Sequence, residues 1–148
     1  MRFPISLLIA LFWLFSLSAH AEDDLLEPEK AFVYSASLVD PTKAEVSFQI
    51  AKGYYLYRDK TELRVMTPAG IQLGAPAFPR ADEKTDPNFG KTHVYHQPFE
   101  VAYRLLDLPA GETRLVIGAT YQGCSENGIC YPPIDKEFTL DVATAGQV

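Results

Sequence analysis

Apolar and polar residues alternate along much of this chain. Val46, Phe48 and Ile50 are interleaved with Glu45, Ser47 and Gln49, the period-two signature of a strand with one buried face. The alternation returns with Phe99, Val101, Tyr103 and Leu105 against Glu100 and Arg104, with Leu115, Ile117, Ala119 and Tyr121, and with Phe138, Leu140 and Val142. Shorter runs over residues 32–38, 54–57 and 63–66 predict further strands. Residues 26–30 predict one helical turn, and downstream of it no segment carries a 3.6-residue apolar stripe of helical length.

Turn residues punctuate these runs: Asp40-Pro41, Lys52-Gly53, Pro68-Ala69-Gly70, Pro109-Ala110-Gly111 and Glu126-Asn127-Gly128. Short strands at that spacing predict an all-β fold, an antiparallel β-sandwich. Between Gly74 and Lys91 the chain is polar and carries Pro76, Pro79 and Pro87, which reads as a long loop, either a plain connector or a functional one.

The N-terminus departs from this pattern. A basic start at Arg2, an apolar run over residues 5–17 and Ala19-His20-Ala21 ahead of Glu22-Asp23-Asp24 predict a secretory signal peptide cleaved after Ala21. The apolar run is shorter than the roughly 18–20 residues of a usual membrane anchor. Residues 22–148 are then enough for one domain with a real core and not for two. The formal charge of −6, one unit more negative without Arg2, and the lack of a basic patch argue against a nucleic-acid partner.

Export changes the reading of the two cysteines, Cys124 and Cys130, because neighbouring thiols in an oxidising compartment are expected to pair. Asn127-Gly128 is a strong turn signal within the five residues between them, so the chain can fold back and set the thiols opposite or diagonal to each other. A structural staple is one reading. Closing a loop of about seven residues restricts the unfolded chain by only about 2.4 kcal/mol, against about 4–5 for a long loop, and a bond between adjacent strands is often more reducible. A redox pair is the other reading, and spacing alone leaves both open. A zinc set completed by His93 and His96 is a weaker option, since zinc pairs normally have two to four intervening residues. No Gly-x-Ser-x-Gly elbow supports a hydrolase.

The wider motifs decide between them. Tyr121-Gln122-Gly123-Cys124, five residues, then Cys130-Tyr131-Pro132-Pro133, together with GYYLYRDK at residues 53–60, LEPEKAF at residues 26–32 and FGKTHVY at residues 89–95, resemble the N-terminal periplasmic domain family of the thiol:disulfide interchange protein DsbD. The resemblance covers essentially all of residues 22–148. It implies an immunoglobulin-like sandwich that takes electrons from a C-terminal thioredoxin-like domain of the same protein. It further implies reduction of periplasmic partners, disulfide isomerases and a cytochrome c maturation thioredoxin, through transient mixed disulfides and without a cofactor. A related copper-tolerance reductase branch shares this arrangement, and a disulfide-stapled immunoglobulin-like binding module is the rival reading.

Carried onto this sequence, the resemblance makes Cys130 the attacking thiol and Cys124 the resolving thiol of a protein-disulfide reductase. Family members shield the pair with an aromatic cap loop, which corresponds to residues 85–90. With Gly90 as anchor, Asn88 stands where the family has its capping Phe and Phe89 where it has a Tyr, so Phe89 is the cap candidate. If Asp86 lies close to the pair it is expected to influence thiol protonation, since an acid near a thiol disfavours the thiolate. Tyr55 and Tyr57 correspond to aromatics lining the site, Tyr131 is expected to line it as well, Tyr54 on the opposite face is expected in the core, and Tyr131 with Pro132-Pro133 is expected to fix the far side of the hairpin. The family protein continues into a membrane conduit and a further domain, and residues 143–148 resemble the start of a linker.

Overall fold

A computed structural model describes residues 25–109, 111 and 114–142; the expected signal peptide and the start of the linker lie outside them. One helical turn, α1 (Pro28–Ala31), leads into β1 (Phe32–Asp40) and β2 (Lys43–Ile50), joined at Asp40-Pro41. Then follow β3 (Tyr54–Tyr57), a 3-10 turn (Arg58–Lys60), β4 (Glu62–Thr67), β5 (Gln72–Leu73), β6 (Asp82–Asp86) and β7 (Gly90–Tyr95). The chain closes with β8 (Phe99–Leu106), β9 (Arg114–Tyr121), β10 (Gly123–Ser125) and β11 (Ile134–Asp141). Neighbouring strands run antiparallel in the orders β1-β2-β8-β5, β10-β3-β7-β6 and β11-β9-β4. This is an immunoglobulin-like antiparallel β-sandwich. Among the described residues no helix is long and apolar enough to cross a membrane.

The alternation seen in the sequence sets the inward faces. Val46 and Phe48 of β2 stand opposite Val101 and Phe99 of β8, all four buried, and the rings of Phe48 and Phe99 stack at 5.0 Å. Tyr121 of β9 meets Phe48 edge-on at 5.3 Å and so joins two sheets through the core. Burial and this ring geometry both stabilise the sandwich. In β11 the alternation holds only in part: Leu140 is buried, but Phe138 is 36 % exposed and rests edge-on against Tyr34 at 6.0 Å.

The polar stretch from Gly74 to Lys91 is not a continuous loop. Most of it is the β6–β7 hairpin, in register from Asp82 opposite Val94 to Asp86 opposite Gly90. β6 is an edge strand whose residues are largely exposed, so it shows no apolar alternation, and a charged edge of this kind resists pairing with other chains. Only its partner β7, with Thr92 and Val94 buried, carries an inward face.

Candidate functional site

Four residues form a small buried cluster apart from the main core: Tyr55, Tyr57, Val94 and Cys124. The strand β3 divides its tyrosines between the two sides. Tyr54 packs with Phe32 and Tyr131 in the main core, while Tyr55 and Tyr57 pack with Cys124. Alternation along a strand requires this division.

Cys124 and Cys130 are joined by a disulfide, their Cα atoms 3.9 Å apart across an isolated antiparallel bridge. The turn between them is closed by the Ser125 amide donating to the Ile129 carbonyl at 2.8 Å and the Gly128 amide to the Ser125 carbonyl at 3.0 Å. Gly128 has φ +88°, a conformation glycine adopts without the penalty of a side chain. The two sulfurs differ in access. Cys124 is fully buried because β10 pairs with β3, which sets Cys124 opposite Tyr55, while Cys130 lies outside that pairing and is exposed. Gly123 makes the close approach possible: a Cβ there would lie 2.5 Å from the Tyr55 carbonyl oxygen and 2.5 Å from the Phe32 ring.

The Tyr57 hydroxyl lies 3.3 Å from the Cys124 sulfur and donates to Asp86 Oδ2 at 2.5 Å. Asp86, 4 % exposed at the end of β6, also accepts the amides of Asn88 at 2.8 Å and Phe89 at 3.1 Å through Oδ1. Burial pushes the Asp86 carboxyl up, but these three donors outweigh it and hold the carboxyl below its ordinary value. Burial first, then the hydrogen bond to Asp86 and the neighbouring Tyr55, push the Tyr57 hydroxyl far up. At neutral pH Tyr57 is therefore a protonated donor to an ionised Asp86, and its oxygen presents a lone pair towards Cys124. Asp86 thus reaches the sulfur through Tyr57, a link the sequence does not reveal.

Phe89 lies in the β6–β7 turn, 42 % exposed, and meets the Tyr57 ring edge-on at 5.3 Å. The Lys60 ammonium sits 4.6 Å from the centre of its ring. Gly90, at φ +68°, completes the turn. Asn88 is exposed and contributes its amide to Asp86. With Phe89 in this position its ring lies against Tyr57, and Cys130 remains exposed. Tyr131 turns into the main core, 5.5 Å from Phe32 and edge-on to it, and its hydroxyl donates to the Leu26 carbonyl. Tyr131, expected to line the site, thus lies in the main core and not in the cluster of Tyr55, Tyr57 and Cys124.

A polar cluster centred on Glu126 lies beside the cysteine turn and is not foreshadowed by the motifs. Glu126, inside the cysteine turn, accepts from His96 Nε2 at 2.9 Å and lies 3.7 Å from the Lys84 ammonium. Lys84 in turn sits 4.5 Å from the centre of the Tyr55 ring, and His96 also reaches Asp82 at 3.3 Å. His93 is paired with Asp59 at 3.3 Å. Neither histidine is bound to a cysteine, and among the described residues no group of three or more His, Cys, Asp or Glu is arranged to hold a metal ion.

Residues 22–142 match the family described as the N-terminal part of the thiol:disulfide interchange protein DsbD. The chain is 43 % identical over 126 residues to the DsbD of Neisseria meningitidis serogroup A, a match covering 85 % of this chain and 20 % of that protein. It therefore spans about one fifth of the length of the curated relatives it matches. Among solved structures, it superposes on the reduced N-terminal domain of Neisseria meningitidis DsbD with a TM-score of 0.70 at 42 % identity, covering 80 % of this chain and 90 % of that one. A complex between the DsbD and PilB N-terminal domains of the same organism matches with a TM-score of 0.65 at 42 % identity, covering 81 % and 88 %.

Proposed function

Since the chain belongs to the family of DsbD N-terminal domains, we propose that it is an electron-relay domain that reduces disulfides of partner proteins through Cys130 and Cys124. The unequal access of the two sulfurs carries this reading: an exposed Cys130 beside a buried Cys124 supports a division into attacking and resolving thiols. In the reduced domain the Cys130 thiolate attacks a partner disulfide, forming a mixed disulfide and releasing one partner thiolate. Cys124 then attacks the Cys130 sulfur, expels the second partner thiolate and restores the bond between Cys124 and Cys130. Two electrons pass to the partner.

The domain is recharged when the dithiol of a thioredoxin-like domain attacks the exposed Cys130 sulfur, with Cys124 as leaving group. Tyr57 and the ionised Asp86 behind it support a Cys124 that keeps its proton until Cys130 is engaged, since negative charge beside a buried thiol disfavours the thiolate. The partners are thioredoxin-fold proteins, including a C-terminal domain of the same protein, disulfide isomerases and a cytochrome c maturation thioredoxin. The Neisseria DsbD domain has been captured in complex with a PilB N-terminal domain, which supports a protein partner for this one. Residues 1–21 act as a signal peptide and residues 22–148 as the domain, working in the periplasm without a cofactor.

Trapping tests the assignment. Mixed with oxidised thioredoxin-fold partners, reduced Cys124→Ser accumulates a mixed disulfide and Cys130→Ser forms none; the opposite result refutes the ordering. A reduction potential of the pair below about −300 mV refutes the relay and leaves a structural staple.

A further inference from the structure

Glu126 is one of five residues between the cysteines, and its side chain reaches out of the cysteine turn to a different hairpin. Its Oε1 accepts from His96, just beyond β7, at 2.9 Å, and its Oε2 lies 3.7 Å from the ammonium of Lys84 on β6. Its amide donates to the Gly53 carbonyl at 2.8 Å, so backbone and side chain anchor the same residue on two sides. Both partners are themselves placed: Lys84 by the Tyr55 ring at 4.5 Å, His96 by Asp82 at 3.3 Å.

Resting on the relay reading, we propose that Glu126 is a positioning residue that pins the cysteine turn to the β6–β7 hairpin and so sets how readily Cys130 closes back onto Cys124. Closing the bond requires Cys124 to reach the Cys130 sulfur once that sulfur is held in a mixed disulfide with a partner or glutathione, whose thiolate then leaves, and this step competes with the motion of the turn. The hydrogen bonds within the turn hold its shape, whereas the side-chain links of Glu126 hold its position against the rest of the sheet. A turn kept in place when the bond is open presents the thiols at higher effective concentration, which favours the disulfide. Releasing it favours the dithiol. The links are part-exposed, so the effect is modest.

The experiment is redox equilibration of the whole chain in glutathione buffers, with Glu126→Gln, His96→Ala and the double variant. Glu126→Gln is expected to lower the equilibrium constant for oxidation about two- to fivefold, the range of a part-exposed ion pair. His96→Ala removes one link from the other side and shifts the constant in the same direction. The double variant matches the larger single effect rather than the product of the two. A constant unchanged in both single variants, or raised in either, overturns the positioning role while leaving the relay intact. A wild-type pair that does not exchange with glutathione at all overturns the relay itself.

Discussion

The hydroxyl of Tyr57 and the carboxylate of Asp86 meet across 2.5 Å, 29 positions apart in the chain. Through this bond the floor of the site, on β3, is joined to the turn that carries Phe89. The same hydroxyl lies 3.3 Å from the Cys124 sulfur, so one side chain links the β6–β7 turn to the disulfide.

Tyr57→Phe removes one of three donors to a buried carboxylate. A hydrogen bond to a charged group contributes about 1.5–3 kcal/mol, and a loss of that size is expected in denaturant unfolding. Unfolding at the wild-type midpoint would show that the bond contributes nothing.

The pH dependence follows from the sign of the Asp86 shift. Its carboxyl is held below the ordinary value in the folded chain, so in acid the unfolded state takes up a proton that the folded state refuses. The contribution is full above the ordinary aspartate value of about 3.9 and is lost as pH falls through the folded value. Asp86→Asn should therefore be less stable than wild type at neutral pH, with the gap narrowing below about pH 4. A gap of constant size from pH 7 to pH 3, measured by unfolding at each pH, would contradict this.

Phe89→Ala removes the edge-on contact with Tyr57, of a kind that contributes about 0.5–1.5 kcal/mol. If the ring guards the reduced pair, oxidation by small non-cognate disulfides should speed up about two- to tenfold, the same energy expressed as a rate. Stopped thiol counting measures it, and an unchanged rate removes Phe89 from the cap role.

Gly123→Ala places a methyl group 2.5 Å from the Tyr55 carbonyl oxygen, which cannot retreat without breaking the pairing of β10 with β3. Overpacking of this kind costs about 1–3 kcal/mol, and thermal unfolding should register it. Wild-type stability in this variant would mean that β10 can move freely, against the packing described.

The strands with one buried face were legible because the information is local: a period of two in β2, β8 and β9 needs no knowledge of partners. The cysteine hairpin was legible for the same reason, since Asn127-Gly128 specifies a turn wherever it stands, and the motifs around it carried the family. The edge strand β6 was not. Its sequence, Asp82-Glu83-Lys84-Thr85-Asp86, has no apolar face, and only pairing with β7 makes it a strand.

The unequal cysteines were likewise beyond a local pattern. Cys124 and Cys130 stand directly opposite each other, yet Cys124 has Tyr55 on its other side and Cys130 lies outside that pairing, so strand order alone buries one and exposes the other. The links from Asp86 to Tyr57 and from Glu126 to His96 join segments 29 and 30 residues apart along the chain. Periodicity and turn chemistry determine which segments become strands and where the chain reverses. Which side chains then meet depends on strand order and register, and those are decided by packing of the whole sandwich.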